Sequence, residues 1–222
     1  MSASDVLYAD RQDAGRRLAR AVMDLGLDDP VVLALPRGGV PVAFEVAKAL
    51  GAPLDLLLVR KLGAPGHQEY GIGALVDGDN PQVVLNEQAM DIIDPLPAYV
   101  DAEVQRQLVE LERRRQAYLG SRKPIPLAGR EVVVVDDGIA TGSTVTVAVR
   151  SLRKAMVARV TVAVPVAPAD ALGALHQEAD EVICLATPQV FRAVGQHYAD
   201  FTQTTDQEVV DLLEAATTRD SD

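Results

Sequence analysis

The sequence predicts an α/β fold in which a largely parallel sheet is flanked by helices. Short apolar runs alternate along the chain with segments whose apolar residues recur at helical spacing. The runs are near-continuous stretches of Val, Leu and Ile rather than apolar–polar alternations, the pattern of strands buried on both faces. Aromatic residues make up only 4% of the chain and Trp is absent, so small and branched side chains must build the core.

The elements follow in order. Ala14, Leu18, Ala21, Val22 and Leu25 share a helical face, and Gly26 supplies a stop. Val31–Leu35 reads as a buried strand, Pro36-Arg37-Gly38-Gly39 as a loop, and Pro41–Leu50 as a helix closed by Gly51. Leu54–Val59 is a second strand, followed by a Gly- and Pro-containing loop through Gly73, and Val83–Leu85 is a short strand. Asp101–Leu119 is a polar helix with a narrow stripe of Val104, Leu108 and Leu111. Its Arg113-Arg114-Arg115 triplet sits among Glu103, Glu110 and Glu112, which marks a solvated face rather than a nucleic-acid surface. Gly120–Pro126 connects to Val132–Val135, four consecutive β-branched residues and the clearest strand. Helices over Val145–Ala155 and near Asp170–Glu178, and strands at Val160–Val164 and Glu181–Leu185, continue the alternation. A single domain over residues 1–222 is expected, with a frayed polar tail at 217–222.

Composition narrows the function. The chain of 222 residues is 48% hydrophobic and 24% charged, as suits a soluble globular protein. The formal net charge of -11 disfavours general binding to DNA or RNA. No apolar stretch approaches the length of a membrane span, and the acidic start does not resemble a secretory signal. The lone Cys184 excludes an intrachain disulfide and reads as a small buried hydrophobe within Val182–Leu185. A cytoplasmic protein without nucleic-acid or membrane partners is the expectation, and a homodimer is among the expected assemblies.

The chemistry concentrates in Val132-Val133-Val134-Val135-Asp136-Asp137-Gly138-Ile139-Ala140-Thr141-Gly142-Ser143-Thr144. A buried strand delivers two acids to its carboxyl end, where ligands bind in open α/β sheets. A loop of small residues then enters a helix. Its backbone N–H groups, with the hydroxyls of Thr141, Ser143 and Thr144, suit one phosphate. The acids would repel that phosphate but accept hydrogen bonds from vicinal hydroxyls nearby. Acids beside a phosphate cradle thus suggest a ribose phosphate. A Walker B strand is disfavoured because no Gly-x-x-x-x-Gly-Lys-Ser/Thr occurs upstream. Gly71-Ile72-Gly73 begins like a dinucleotide fingerprint, but Val76 stands where the third glycine belongs. A purely structural strand–turn–helix has no need of two acids followed by Thr-Gly-Ser-Thr.

These residues resemble, without a gap, the 5-phosphoribosyl-1-pyrophosphate (PRPP) signature of type I phosphoribosyltransferases. The resemblance implies that Asp136 and Asp137 hold the ribose hydroxyls while Ala140, Thr141, Gly142, Ser143 and Thr144 hold the 5′-phosphate. It further implies that Arg37, Gly38 and Gly39 form the pyrophosphate loop, which in relatives often carries a strained or cis peptide. Charge-assisted hydrogen bonds from Arg37 and close backbone approach at the two glycines fit that role. In isolation Arg60-Lys61 reads as an ordinary basic strand end. Beside these motifs the resemblance implies that Lys61 would be a further pyrophosphate ligand and that Leu62–Gly73, with His67, Glu69 and Tyr70, would be a mobile loop that closes over PRPP. Arg37, Arg60 and Lys61 would supply the local positive charge that an acidic chain needs.

The implied fold is the type I one, with a small hood over the sheet edge; Thr187–Asp211 would be part of it, formed by Thr187–Phe201 with the N-terminal helix as a further contributor. Phe191, Val194 and Tyr198 would there share a helical face. Asp-Arg near the start and Ala-Val-Gly near the end further resemble a little-characterised subgroup of the family. The implied reaction moves ribosyl 5-phosphate from PRPP to a nitrogenous small-molecule acceptor and releases pyrophosphate, with Asp137, Lys61 and Arg37 as catalytic candidates. Mg²⁺ would arrive with PRPP, held near Asp136 and Asp137 directly or through water. His67, His176 and His197 lack metal-ligand spacing. Two rivals stand beside this reading: a regulator that keeps the PRPP site as a sensor, and a nucleotide phosphohydrolase, which the absence of a metal-ligand cluster disfavours.

Overall fold

The computed structural model describes residues 6–77 and 81–217. Five parallel strands form the central sheet in the order β2 (Leu54–Leu56), β1 (Val31–Ala34), β6 (Glu131–Val135), β7 (Arg159–Val166) and β8 (Glu181–Ala186). Helix α1 (Arg11–Met23) and α2 (Gly39–Leu50) pack on one face; α5 (Ser143–Lys154) and α6 (Ala169–Leu175) pack on the other. The valine run explains itself in this sandwich. Val133 and Val135 join the core under α1 and α2, whereas Val132 and Val134 join the core under α5. Both sides of the strand are dry, so no polar alternation survives.

The expected strand Leu54–Val59 is two strands. Main-sheet pairing ends at Leu56, the buried Leu57 and Leu58 cross over, and β3 (Val59–Ala64) opens a second sheet. An unbroken apolar run carries no mark of a change of sheet when both halves are buried. The second sheet is antiparallel and joins β3, β4 (His67–Val76) and β5 (Gln82–Leu85).

The expected loop Leu62–Gly73 is therefore a β-hairpin turning at Pro65-Gly66, with register shifts beside Gly63. Its glycines sit in bulged strands, a use of glycine that composition alone confuses with a loop. Tyr70 is exposed on it. His67 and Glu69 lie on β4 as well, the side chain of Glu69 falling outside the described part. Helices α3 (Glu87–Ile93) and α4 (Pro97–Leu119) cover this sheet. Arg115 departs from the solvated triplet: it is turned inward and pairs with buried Asp77 at 2.6 Å.

The stretch from Thr187 to Thr205 holds one 3₁₀ turn, Val194–His197, instead of the helix expected around Phe191, Val194 and Tyr198. Their common side comes from packing with Tyr8 and Val166, not from helical periodicity. Leu7 and Tyr8 donate their N–H groups to His197 O at 2.9 and 3.0 Å, so N-terminal and C-terminal segments close into one lobe over the carboxyl edge of the sheet. The span Thr187–Asp211 thus joins this irregular stretch to the first half of α7 (Asp206–Thr217). Most of the expected frayed tail, residues 218–222, lies outside the described residues. Among the described residues no helix is long and apolar enough to cross a membrane.

Candidate active site

Two helices begin side by side at the carboxyl edge because β1 and β6 are parallel neighbours, Ala34 opposite Val135. Helix α2 starts at Gly39 behind the loop Pro36–Gly38, and α5 starts at Ser143 behind Asp136–Gly142. Their positive dipole ends face the same edge, although the Gly39 and Val40 N–H groups of α2 donate to Leu35 O and Arg37 O at 3.1 Å each. The Pro36–Arg37 peptide is cis.

The first loop lies directly on the acids. A Cβ at Gly38 would sit 2.0 Å from Asp137 Oδ2, and one at Gly39 would sit 3.0 Å from Asp136 Cα and 2.8 Å from Val135 O. Only glycine allows this approach. Asp137 N–H donates to Asp136 Oδ1 at 2.9 Å. Burial, then the neighbouring Asp137 charge, pushes the Asp136 carboxyl well above its ordinary value. Burial raises Asp137 as well, opposed by a hydrogen bond and the charge of Arg11.

The second loop presents its hydroxyls outward. Gly142 takes the left-handed conformation (φ 78°) that turns the chain into α5, and Ala140, Thr141, Ser143 and Thr144 are exposed around it. Thr141 Oγ1 and Ser143 Oγ lie 3.2 Å apart. Thr141, Ser143, Thr144 and Lys61 line one cleft of about 970 Å³, roofed by the second sheet at Gly71, Gly73 and Ala74. The bare backbone at Gly71 leaves room for the Lys61 chain, whose Cγ is 3.2 Å from a Cβ built there. The Gly71-Ile72-Gly73 pattern thus has a packing role: its glycines face the cleft and Ile72 is buried behind them.

The structure therefore gathers the sequence-selected residues into two adjoining groups. Gly38 and Gly39, beside Arg37 in the chain, meet Asp136 and Asp137; Lys61 lines one cleft with the hydroxyl loop. Arg60 joins neither. Its Nε donates to Gln107 Oε1 at 3.0 Å on the α4 side, because successive residues of β3 point to opposite faces. Arg37 is turned toward α7, with Nη1 3.5 Å from Asp206 Oδ1, an oxygen that also accepts from Tyr118 Oη at 2.7 Å.

Three residues at this edge are not among the site residues selected from the sequence. Arg11 Nε donates to Asp137 Oδ2 at 2.8 Å, Tyr198 Oη donates to Asp137 O at 2.5 Å, and Asp206 holds Arg37. Burial and the neighbouring Asp137 charge push the Tyr198 hydroxyl up, which keeps it a neutral donor. Distance along the chain hid them; Arg11 lies 126 residues from its partner.

Among the described residues no group of three or more His, Cys, Asp and Glu side chains surrounds a common point. Two adjacent carboxylates of hard oxygen character remain, and they suit Mg²⁺ only if other oxygens complete its shell. A magnesium ion carried by a diphosphate meets that condition.

A parallel sheet flanked by helices, with paired acids and a small-residue loop entering a helix at its carboxyl edge, defines a protein of the α/β class. The profile of the phosphoribosyl transferase domain matches residues 7–201. The chain belongs to that family. A Mycobacterium tuberculosis protein bearing a provisional phosphoribosyl transferase name, found in strains CDC 1551 and H37Rv, is 50% identical over 210 residues. That alignment covers 95% of this chain and 47% of the relative, so the chain spans about half the length of the curated relatives it matches. The crystal structure of TT1426 from Thermus thermophilus superposes with a TM-score of 0.83 at 44% identity, covering 94% of this chain and 98% of that one.

Proposed function

We propose that the protein transfers ribosyl 5-phosphate from PRPP to a nitrogen nucleophile and releases pyrophosphate. The observation that carries the reading is the seating of Gly38 and Gly39 on Asp136 and Asp137 at paired helix N-termini. Diphosphate-binding and ribose-binding groups thereby adjoin, as one ligand bearing both requires. In the reaction the C1–O bond to pyrophosphate breaks and a C1–N bond forms, with positive charge developing on the sugar as in glycosyl transfer generally. Asp136 and Asp137 orient the ribose hydroxyls and favour that charge. Thr141, Ser143, Thr144 and the amides of Ala140 and Gly142 hold the 5′-phosphate. Arg37 and Lys61 stabilise the departing diphosphate. Asp137 is also placed to take the proton that the acceptor nitrogen loses. Bound Mg²⁺ would neutralise diphosphate charge, with Asp136 and Asp137 as its protein ligands, directly or through water.

The test is calorimetry with magnesium and PRPP, then pyrophosphate detection across a panel of nucleobases and other nitrogen heterocycles. Saturable PRPP binding with pyrophosphate release on one acceptor supports the proposal. Failure to bind PRPP overturns it, and binding without release favours the sensor.

A further inference from the structure

Asp137 is held from both sides of its peptide unit by the lobe that closes the N- and C-termini together. Arg11, the first residue of α1, donates from Nε to Asp137 Oδ2 at 2.8 Å and from Nη1 to Thr202 O at 2.7 Å. Its guanidinium carbon lies 3.9 Å above the centre of the Phe201 ring. Phe201 in turn rests against Tyr198, ring centres 5.1 Å apart, and Tyr198 Oη returns to Asp137 O. Arg11, Asp137, Tyr198 and Phe201 thus close a ring of four contacts. Gly195 makes its tightest contacts with Phe201, 2.6 Å from a Cβ built there, which fixes the ring from behind. The arginine side chain is 11% exposed and that of Asp137 13%, so water screens the pair weakly.

Oδ2 accepts from Arg11 Nε and packs against Gly38, whereas Oδ1 accepts no hydrogen bond from another of the described residues. We propose that Arg11 is a positioning residue: by fixing Asp137 Oδ2 it turns Oδ1 toward the ribose hydroxyl and couples the seating of the lobe to PRPP binding. This rests on the reading of Asp137 as a ribose ligand. Arg11 touches no substrate itself. A guanidinium suits the task because its planar fork serves a carboxylate, a carbonyl and an aromatic face together, which an ammonium cannot do.

Calorimetry with magnesium and PRPP on wild type, Arg11→Gln, Asp137→Asn and the double variant tests the inference. Arg11→Gln should weaken PRPP about tenfold, as expected for loss of one charge-assisted hydrogen bond. Its effect should vanish in the Asp137→Asn background, since it acts only through that carboxylate. Arg11→Lys should recover part of the loss. A merely structural role predicts equal losses in both backgrounds, and that result overturns the inference. Should Arg11→Gln not fold, the Arg11 Nε–H resonance in ¹⁵N-correlation spectra reads the contact directly. It should move on Asp137→Asn; an unmoved resonance also overturns the inference. Wild-type protein that binds no PRPP overturns the parent reading and this one together, whereas equal binding by wild type and Arg11→Gln overturns this one alone.

Discussion

Replacing Gly38 with alanine isolates the contact on which the site depends. Gly38 has φ −59° and ψ −33°, values that alanine adopts without strain. The backbone therefore gives no objection, and the smaller entropy of the unfolded chain favours the variant by about 0.4–1 kcal/mol. The objection is steric. The new Cβ would stand 2.0 Å from Asp137 Oδ2, 2.7 Å from Cγ and 3.2 Å from Oδ1, so the whole carboxylate must rotate away. Rotation breaks the 2.8 Å bond from Arg11. A hydrogen bond to a charged group contributes about 1.5–3 kcal/mol, leaving a net loss of roughly 0.5–2.6 kcal/mol after the entropic gain. Melting temperature falls by about 2–4 °C per kcal/mol in chains of this size, so scanning calorimetry should show a drop of a few degrees. Titration with magnesium and PRPP should show at least a tenfold weaker complex, roughly 1.4 kcal/mol. Gly173→Ala is the matched control. It lies exposed in α6 with no heavy atom within 4 Å of its Cβ position, and it should gain about 0.8–1 kcal/mol from helix propensity. If Gly38→Ala keeps both the melting temperature and the PRPP affinity of wild type, the loop is not seated on the acid as described.

Three further outcomes follow from neighbouring geometry. Lys61→Ala should weaken pyrophosphate and PRPP by tenfold or more, roughly one charge-assisted contact, whereas Arg60→Ala should leave both within about threefold because Arg60 serves Gln107. Competition with inorganic pyrophosphate measures both; equal losses would place Arg60 in the site. Asp137→Asn should lose about 2–4 kcal/mol of transition-state stabilisation in kcat/KM once an acceptor is found, and near wild-type turnover would remove that carboxylate from the reaction. Asp206→Asn releases Arg37 from an exposed pair worth about 0–1 kcal/mol, so PRPP should bind unchanged to about fivefold tighter. Weaker binding by that variant would mean that Asp206 aims Arg37 rather than restrains it.

The placement of the candidate site at the carboxyl edge was legible in the sequence where its residues are contiguous. Asp136–Thr144 and Arg37–Gly39 each form one turn between a strand and a helix, and local chemistry reads such turns well. Residues brought together by the tertiary fold were not legible: Arg11, Tyr198 and Asp206 meet the site only after the chain has closed into a lobe. The hairpin failed for another reason, since bulged glycine strands and glycine loops share one composition. Helix α7 did carry a readable signal. Thr205 and Glu208 form a reciprocal cap, Glu208 Oε2 accepting from Thr205 N at 2.7 Å and Thr205 Oγ1 from Glu208 N at 3.2 Å, and buried Val209 and Leu213 follow at helical spacing. An expected hood running from Thr187 to Asp211 cuts across that signal.

The topology also bears on how a chain of net charge -11 would accommodate the proposed polyphosphate. The sequence offers three basic side chains beside the motifs: Arg37, Arg60 and Lys61. The structure directs Arg60 to α4 and turns Arg37 toward Asp206, so side-chain charge at the proposed phosphate site is thinner than the sequence implies. What the fold supplies instead is fixed in the backbone. Adjacent parallel strands β1 and β6 place the starts of α2 and α5, each a positive dipole end, at one edge. In α2 the N–H groups of Gly39 and Val40 already donate to Leu35 O and Arg37 O at 3.1 Å each, so the start of α5 is the one with donors to offer. Those partial charges are pre-oriented and need no counter-ion of their own. Acids can then stand beside them at Asp136 and Asp137 without cancelling the attraction for a phosphate, because Arg11 answers Asp137 with a hydrogen bond of its own. The acidity of the whole chain and the anionic character of the proposed ligand are thus separate matters, one of surface composition and the other of strand order.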